Sequence, residues 1–262
     1  MEYHVPSVAL AARVLKLLSR YKYKSCTQKE IADALHVNKT TCLRVLKTLE
    51  REDFIRYDAS TRRYSLGPYL IPLGNRAMQM IDSVAVAAGE LEQVAQRTGL
   101  TTVLVERLRD DRLIYIAAAE PPRQEVRISV SVGQQYPVTV TAFGKCFLAY
   151  DDEEKIERLI RGGLPKYTSN TVVDPDVLLA DLARVRRNGY AISHGEAAEG
   201  ISAIAAPVFN RDGRVEFVLA CLSVSSWITE EITQATLQVV RETTAKLSEW
   251  NGYHQELDMI GR

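Results

Sequence analysis

The 262-residue chain has few of the residues that metal sites and disulfide frameworks need, with 4 cysteines and 4 histidines. The cysteines are Cys26, Cys42, Cys146 and Cys221. They lack C-x-x-C spacing and neighbouring histidines, so no zinc site, disulfide framework or other metal or cofactor site is predicted. We expect them to be buried as small apolar side chains. With 14 Gly and 9 Pro, the composition is that of a globular protein.

Long apolar runs are also missing, because none approaches the roughly 20 residues that a membrane-spanning helix needs. The first 20 residues lack the basic start, apolar middle and small-residue cleavage site of a signal peptide. We therefore expect a cytoplasmic protein with no membrane partner. The motifs Gly-x-Ser-x-Gly, G-x-x-x-x-G-K-[ST] and H-E-x-x-H are absent as well, so an interpretation as an enzyme rests on composition alone.

The net charge of zero conceals an uneven distribution of charge along the chain. Residues 1–76 carry 14 Lys and Arg against 7 Asp and Glu, a net charge of +7. The remaining residues carry 19 against 26, a net charge of −7. A basic half suits a polyanionic partner such as nucleic acid. The length of the chain favours two domains, each with its own core.

The first half contains the pattern of three short helices. Apolar residues recur at helical spacing after Pro6 and predict a first helix capped by Ser7. Thr27 and Glu30 have the spacing of a capping box, which predicts a second helix over 28–35. After a three-residue turn the helical period resumes over 39–51, which completes a helix-turn-helix. Its inward residues are predicted to be Cys42, Leu43, Val45, Leu46 and Leu49, and those of the first helix include Val8.

Residues 54–57 and 62–66 are two strand-like runs around a polar turn and predict a hairpin. Together the helices and the hairpin predict a winged helix-turn-helix. In such domains the last helix enters the major groove of DNA, and the wing contacts the backbone or the minor groove. The predicted DNA-binding residues are Gln28, Asn38, Lys39, Thr40, Thr41, Arg44, Lys47, Arg62, Arg63 and Tyr64. The alternative is a solvated face on a protein-binding helical domain.

The second half mixes both kinds of periodicity. Helices are predicted over 70–80, 83–97, 143–150, 153–161, 175–188 and 229–250. Strands are predicted over 101–107, 113–119, 125–132, 190–193, 203–209 and 215–223. This order predicts an α+β domain with one mostly antiparallel sheet flanked by helices. In the last helix we expect Ile232, Leu237, Val240 and Leu247 to be buried.

Several segments together resemble the IclR family of bacterial transcriptional regulators. In the first half they are 7–8, 31–35, 39–46 and 63–68, and in the second half 137–149, 188–193, Glu196, 200–209 and Gly213. The resemblance follows the expected order over nearly the whole chain. It implies a winged helix-turn-helix domain over 1–69, a linker helix over 70–81 and a GAF/PAS-like effector-binding domain over 82–262.

The sequence departs from the family pattern at three places. Asp53 stands where the family usually has glycine after the recognition helix, and aspartate tolerates the left-handed backbone conformation better than most residues. Phe143 replaces a small residue of the pocket motif. Ser193 and His194 replace an acidic start of the last motif. The last two changes concern the effector pocket.

The resemblance also implies the residues of that pocket. They are Ala142, Phe143, Gly144, Ser193, His194, Ser202, Ala203, Cys221, Ser223 and Ser225. Effectors of the family are often small organic or aromatic acids, and backbone N–H groups at the start of the helix near Ala142 favour a carboxylate. The ring of Phe143 can stack on an aromatic ligand or fill the pocket, and both readings stay open.

The function implied is a transcriptional regulator, a homodimer or homotetramer that binds a palindromic operator in double-stranded DNA. A small-molecule effector would set its DNA affinity, and it would control a catabolic operon. One alternative is an enzyme that uses Cys146 or His194, which needs a base within reach of a nucleophile. Another is an architectural DNA-binding protein whose second half only oligomerises.

Overall fold

The computed structural model describes residues 4–80, 82–109, 111–122 and 128–253. The chain divides into two compact units, Met1–Asp82 and Ser83–Arg262. In the described ranges, none of the helices is both long and apolar enough to cross a membrane.

The first unit is a small helical domain with a three-stranded sheet. Its elements are α1 (Pro6–Leu18), β1 (Cys26–Thr27), α2 (Gln28–Leu35), α3 (Lys39–Arg51), β2 (Ile55–Asp58), β3 (Arg63–Leu66) and α4 (Leu70–Met80). Strand β3 lies between β1 and β2 and is antiparallel to both. The predicted bounds of α2, α3 and α4 are confirmed. The core joins α1, α2 and α3 to the sheet.

Local hydrogen bonds define the helix-turn-helix. The predicted capping box is confirmed, because Thr27 Oγ1 accepts from the Glu30 amide and the Glu30 carboxylate accepts from the Thr27 amide at 2.7 Å. His36 has a φ of 52° and ends α2 in the left-handed conformation. Asn38 Oδ1 then accepts from the Thr40 amide at 2.8 Å and caps α3. The sequence therefore sets both ends of the turn.

Three predictions for the first unit are wrong. Ser7 does not cap α1. The helix begins at Pro6 with Val5 as its N-cap, because the fixed φ of proline suits the first helical position. Val8 is 65% exposed and Leu43 is 37% exposed. Both are apolar residues on the outer face of a helix whose buried stripe is narrower than the sequence pattern suggested.

The second unit is an antiparallel sheet between two helical layers. Its strands are β4 (Thr101–Arg107), β5 (Arg112–Ala119), β6 (Gln135–Pro137), β7 (Ala191–His194), β8 (Ile201–Phe209) and β9 (Val215–Val224), in the order β6-β5-β4-β9-β8-β7. Helices α6 (Ala142–Leu148), α7 (Glu153–Arg161) and α8 (Pro175–Asn188) cover one face. Helices α5 (Asp82–Thr98) and α9 (Glu230–Trp250) cover the other. The predicted α+β class with an antiparallel sheet is confirmed.

A β-bulge at Ile116 changes which side chains of β5 face which layer. Leu104 pairs with Ala117 while the next residue of β4, Val105, pairs with Tyr115, so Ile116 is an extra residue. Tyr115 therefore packs in the core under α6, whereas Ala117 packs in the core under α5 and α9. A bulge of this kind redirects the side chains on one side of it.

The structure corrects three predictions for the second unit. The strand predicted over 125–132 does not form at 128–132, and its earlier residues lie outside the described ranges; a strand follows instead at Gln135–Pro137. Helix α6 ends at Leu148, two residues before the predicted end. Ile232 is 36% exposed because it lies on the outer side of the first turn of α9.

Gly67→Ala should destabilise the first unit. A Cβ at position 67 would lie 2.1 Å from the carbonyl oxygen of Asp53 and 2.7 Å from the amide nitrogen of Ile55, so the backbone would have to move. Overpacking of this kind costs about 1–3 kcal/mol. Gly74→Ala is the matched control, since it has open space inside α4 and should favour the helix by about 1 kcal/mol. Thermal unfolding followed by circular dichroism should give a lower Tm only for Gly67→Ala.

Candidate functional site

The outer face of α3 presents a row of polar and basic side chains. Lys39, Thr40, Thr41, Arg44 and Lys47 are exposed, as the sequence predicted. The opposite face of the helix is fixed in the core by Cys42, Val45, Leu46 and Leu49. Among the described residues, no side chain forms a hydrogen bond or an ion pair with the side chains of Lys39 and Arg44. This face can therefore donate to phosphates and base edges.

Two predicted DNA-binding residues stabilise the start of α3 instead of pointing freely outward. The Gln28 side-chain Nε2 donates to the carbonyl oxygen of Lys39 at 2.9 Å, and the Asn38 side chain caps the helix. Lys47 is exposed but has partners on the same surface: its Nζ lies 2.8 Å from Glu50 Oε2 and 5.2 Å from the centre of the Tyr57 ring. The hydrogen bond to Glu50 raises the pKa of Lys47.

The hairpin of β2 and β3 presents the cation Arg62 near its tip. Arg62 is exposed, with a left-handed φ of 55° at the end of the turn. The turn is held by Asp58, which accepts from Ser60 and Thr61; these hydrogen bonds lower the pKa of Asp58 to about 2. Within the described residues no partner binds the Arg62 guanidinium. The tip therefore resembles a wing that can reach a phosphate.

The structure corrects the prediction for the two residues after Arg62. Tyr64 is only 3% exposed and packs in the core, so it cannot face DNA. Arg63 donates to the carbonyl oxygen of Ser25 at 2.7 Å and pairs with Glu30 at 3.2 Å. The amide of Thr27 and Arg63 together lower the pKa of Glu30. Neighbouring residues of a strand point to opposite sides, so Tyr64 faces the core while Arg63, on the other side, is engaged by Ser25 and Glu30.

A cavity of about 280 Å³ lies in the second unit on the α6 side of the sheet. It is lined by Tyr115, Ile128, Ser129, Val130, Gln134, Tyr136, Thr141, Phe143, Ser193, Ala197, Ala198, Ile201, Ala203 and Leu222. Tyr115, Tyr136 and Phe143 form an aromatic wall, with ring centres 5.4–5.7 Å apart. The ring of Phe143 is thus part of the wall and leaves the cavity open.

The polar groups of the cavity are hydroxyls and one amide. They belong to Ser129, Gln134, Thr141, Ser193 and the two tyrosines. None of the described lining residues carries a charge. Burial raises the pKa of Tyr115 and of Tyr136, so both phenols stay protonated at neutral pH. A mostly apolar wall with a few fixed polar groups is typical of a small-molecule site.

Of the predicted effector-binding residues, Phe143, Ser193 and Ala203 line this cavity. Ala142 and Gly144 are buried beside it in α6. The Gly144 amide donates to Thr141 Oγ1 at 2.9 Å, and the Lys145 amide donates to the Thr141 carbonyl oxygen. These two N–H groups are satisfied within the helix and are not free for a carboxylate.

The other five predicted residues lie away from the cavity, which corrects the prediction for them. They are His194, Ser202, Cys221, Ser223 and Ser225. His194 Nδ1 is 3.1 Å from Ser202 Oγ, which donates to Ser225 Oγ at 2.8 Å. The reason is the alternation of side chains along a strand: Ser193 and Ala203 face α6, so their neighbours His194 and Ser202 face the other way.

The same alternation separates the two residues that an enzyme would need. Cys146 is buried on the α6 side, where its Sγ lies 3.5 Å from the carbonyl oxygen of Ala205, and burial raises its pKa. His194 is on the opposite face of the sheet. The pair therefore does not form a nucleophile with its base. In the described ranges, no group of His, Cys, Asp and Glu side chains is arranged to hold a metal ion.

Sequence reasoning missed most of the cavity wall, above all Tyr115 and Tyr136. Tyr115 was within a predicted strand, but its direction depends on the bulge at Ile116. Tyr136 was next to the pocket motif and had no periodic signal of its own. Ala197 and Ala198 lie in a loop, where no pattern marks a lining residue.

Comparison with known proteins identifies the family. Residues 75–249 match the family model for the C-terminal domain of bacterial IclR transcriptional regulators, and residues 11–62 match that of the MarR family. The chain belongs to the IclR family. An IclR regulator from Alicyclobacillus acidocaldarius with a known crystal structure is 59% identical, with a TM-score of 0.92, over 95% of this chain and 100% of that one.

Two further relatives extend the comparison. The HTH-type transcriptional regulator XynR of Escherichia coli (strain K12) is 30% identical over 91% of this chain and 93% of XynR. An IclR homologue from Microbacterium hydrocarbonoxydans, crystallised with 4-hydroxybenzoate, shares the fold with a TM-score of 0.79 at 22% identity, over 94% of this chain and 98% of that one. This IclR-family chain is thus a transcriptional regulator with a DNA-binding helix-turn-helix, and its second unit fits an effector-binding domain.

Arg63→Ala should lower the stability of the first unit, whereas Arg62→Ala should not. The first variant loses the hydrogen bond to Ser25 and the partly exposed pair with Glu30, together about 1 kcal/mol. The second loses no contact within the fold. Urea unfolding of the two variants should separate them by midpoint, and equal midpoints would contradict the assignment of Arg63 to the fold.

Proposed function

We propose that this protein changes its affinity for a palindromic operator when a small organic acid, foremost a single-ring aromatic acid, binds the cavity of the second unit. The observation that carries the proposal is the aromatic wall of Tyr115, Tyr136 and Phe143 in a cavity whose described lining residues carry no charge. The protein would act in the cytoplasm on a neighbouring catabolic operon. This regulation requires no chemical reaction in the cavity, because binding of the acid alone shifts the balance between two states of the protein that differ in operator affinity.

The exposed face of α3 supports the DNA half of the proposal. Lys39, Thr40, Thr41 and Arg44 occupy the first turns of the helix, the part that enters the major groove in helix-turn-helix proteins. Arg62 lies at the hairpin, where a cation would contact phosphate. We assign base contacts to Arg44 and its neighbours and backbone contact to Arg62.

Exposed apolar residues of the first unit support self-association. In α1, Val8 is 65% exposed, and in α4, Ile71 is 66% and Leu73 is 43% exposed. Apolar side chains gain free energy when a second subunit covers them. We propose that these helices pair in a homodimer, which two-fold symmetry matches to a palindromic operator. A homotetramer would be a pair of such dimers.

The dimensions and chemistry of the cavity support a small aromatic acid. At about 280 Å³ it is at the lower end of ligand pockets, which range from about 300 to 1,000 Å³. The rings of the wall can make edge contacts with a ligand ring. The hydroxyls of Ser129, Thr141 and Ser193 can donate to carboxylate oxygens. A structural relative was crystallised with 4-hydroxybenzoate, a molecule of this class.

Ala203→Leu should abolish the response to the effector and keep operator binding. The added side chain would occupy the cavity floor, while the DNA-binding face is untouched. Ser202→Ala is the matched control: it is the neighbouring residue, but it faces the other side of the sheet. Operator binding would be measured by fluorescence anisotropy with 4-hydroxybenzoate and other single-ring acids. Loss of the response in both variants, or in neither, would contradict the cavity assignment.

That titration also separates the competing functions. An architectural DNA-binding protein would show the same operator affinity at every ligand concentration. An enzyme would convert the ligand, which mass spectrometry of the recovered molecule would reveal. A regulator would return the ligand unchanged and bind DNA with a different affinity in its presence.

Arg44→Ala should weaken binding to the operator by about 1–3 kcal/mol and should relax specificity at one position. Arg62→Ala should weaken binding to all sequences alike and lower the salt slope by about 1, because it removes a phosphate contact. Arg51→Ala is the control, since Arg51 is exposed in the last turn of the same helix, far from its N-terminal turn. Binding curves at three salt concentrations would measure these effects. An Arg44→Ala variant with wild-type operator affinity would refute the base contact.

A further inference from the structure

One edge of the cavity is formed by a short irregular segment, residues 195–200, which we call the rim segment. It contributes Ala197 and Ala198 to the cavity lining. Glycines stand at both of its ends, and Gly195 and Gly200 have left-handed φ values of 68° and 74°. The segment joins β7 to β8, so it lies between two strands that are fixed in the sheet.

The backbone of the rim segment is held by hydrogen bonds at its ends. Thr168 Oγ1 donates to the Gly195 carbonyl oxygen at 2.6 Å, and Thr171 Oγ1 donates to the Glu196 carbonyl oxygen at 2.7 Å. At the other end, the Ser225 amide donates to the Gly200 carbonyl oxygen at 2.8 Å. Between them the Ile201 amide donates to the Ala198 carbonyl oxygen at 3.2 Å. Ala197 and Ala198 have small side chains and Glu199 is exposed, so this part buries little apolar surface that could hold it down.

The strongest side-chain contact of the rim segment is a buried ion pair. Glu196 is 7% exposed and Lys145 of α6 is 2% exposed, and Lys145 Nζ lies 2.8 Å from Glu196 Oε1. The same ammonium group lies 2.7 Å from Asp181 of α8. Glu196 Oε2 has no hydrogen-bond partner among the described atoms. Burial raises the pKa of Glu196, and Lys145 opposes that shift.

This arrangement makes Lys145 decisive for the position of Glu196. A buried carboxylate is tolerated only while an opposite charge compensates it. Asp181 is more exposed and also pairs with Arg184, so it has a second partner. Among the described residues, Lys145 is the one cation that forms an ion pair with Glu196; His194 also lowers the pKa of Glu196, but less than Lys145 does. Without that cation, the carboxylate could keep its charge only by reaching water, which requires the rim segment to lift.

We propose that Lys145 is a positioning residue that holds the rim segment at the edge of the cavity through Glu196, and so sets how readily a ligand enters and leaves. Naming that ligand as the effector rests on the proposed function. The pair also adjoins the site on both sides: Phe143 precedes Lys145 by two residues in α6, and Ala197 follows Glu196. A molecule in contact with Phe143 and Ala197 therefore touches both elements that the ion pair joins.

The test is hydrogen–deuterium exchange of the full-length protein without ligand, read in peptides that cover residues 195–202. Lys145→Met should speed amide exchange there at least tenfold and leave peptides from the centres of β8 and β9 unchanged. Adding Glu196→Gln should return the exchange close to the wild-type rate, because the neutral side chain no longer needs a cation. Asp181→Asn is the matched control, since it removes the other partner of Lys145 and should leave the rim segment as it is.

Three results would overturn the proposal. They are rim exchange that stays at the wild-type rate in Lys145→Met, that rises equally in Asp181→Asn, or that stays fast in the double variant. If Lys145→Met prevents folding, recovery of the fold in Lys145→Met/Glu196→Gln supports the proposal, and a double variant that remains unfolded contradicts it. Because no ligand is present, this outcome is independent of whether aromatic acids alter operator binding.

Discussion

The antiparallel sheet of the second unit sends neighbouring side chains to opposite faces, and helices cover both of those faces. This constraint decides which residues can meet a ligand. Ala203 and Leu222 point into the cavity, while Ser202 and Cys221, each next to one of them, point into the layer under α5 and α9. The bulge at Ile116 is the one described exception on β5, and it brings Tyr115 to the cavity side.

In the first unit the corresponding constraint is the narrow apolar stripe of α3. Four buried residues fix its rotation, so its outer face is left to polar and basic side chains. Glu30 then ties the start of α2 to the hairpin through Arg63, so the wing and the helix-turn-helix form one body. The side chains of Arg44 and Arg62 are thus placed on the surface by neighbouring residues that pack or form ion pairs within the fold.

Local signals in the sequence predicted the helices well, and long-range pairing explains what they missed. The ends of α2 and α8 follow from a capping box at Thr27 and from the pair Pro175 and Gly189, all within a few residues of the helix. The side of the sheet on which each side chain of β5 lies depends on the register of β5 with β4, and no local sequence pattern encodes that register. For that reason sequence reasoning found Phe143, Ser193 and Ala203, missed the tyrosines and included residues of the opposite face.

A buried ion pair is a weak source of stability, because desolvation of the two charges offsets most of their attraction. Stability alone therefore does not explain Lys145 and Glu196 beside the cavity. Apolar side chains in the rim segment would hold it more firmly, but they would also occupy the space that a ligand needs. The small side chains of Ala197 and Ala198 keep the cavity free for a ligand. The ion pair of Glu196 with Lys145 then holds the rim segment without filling that space.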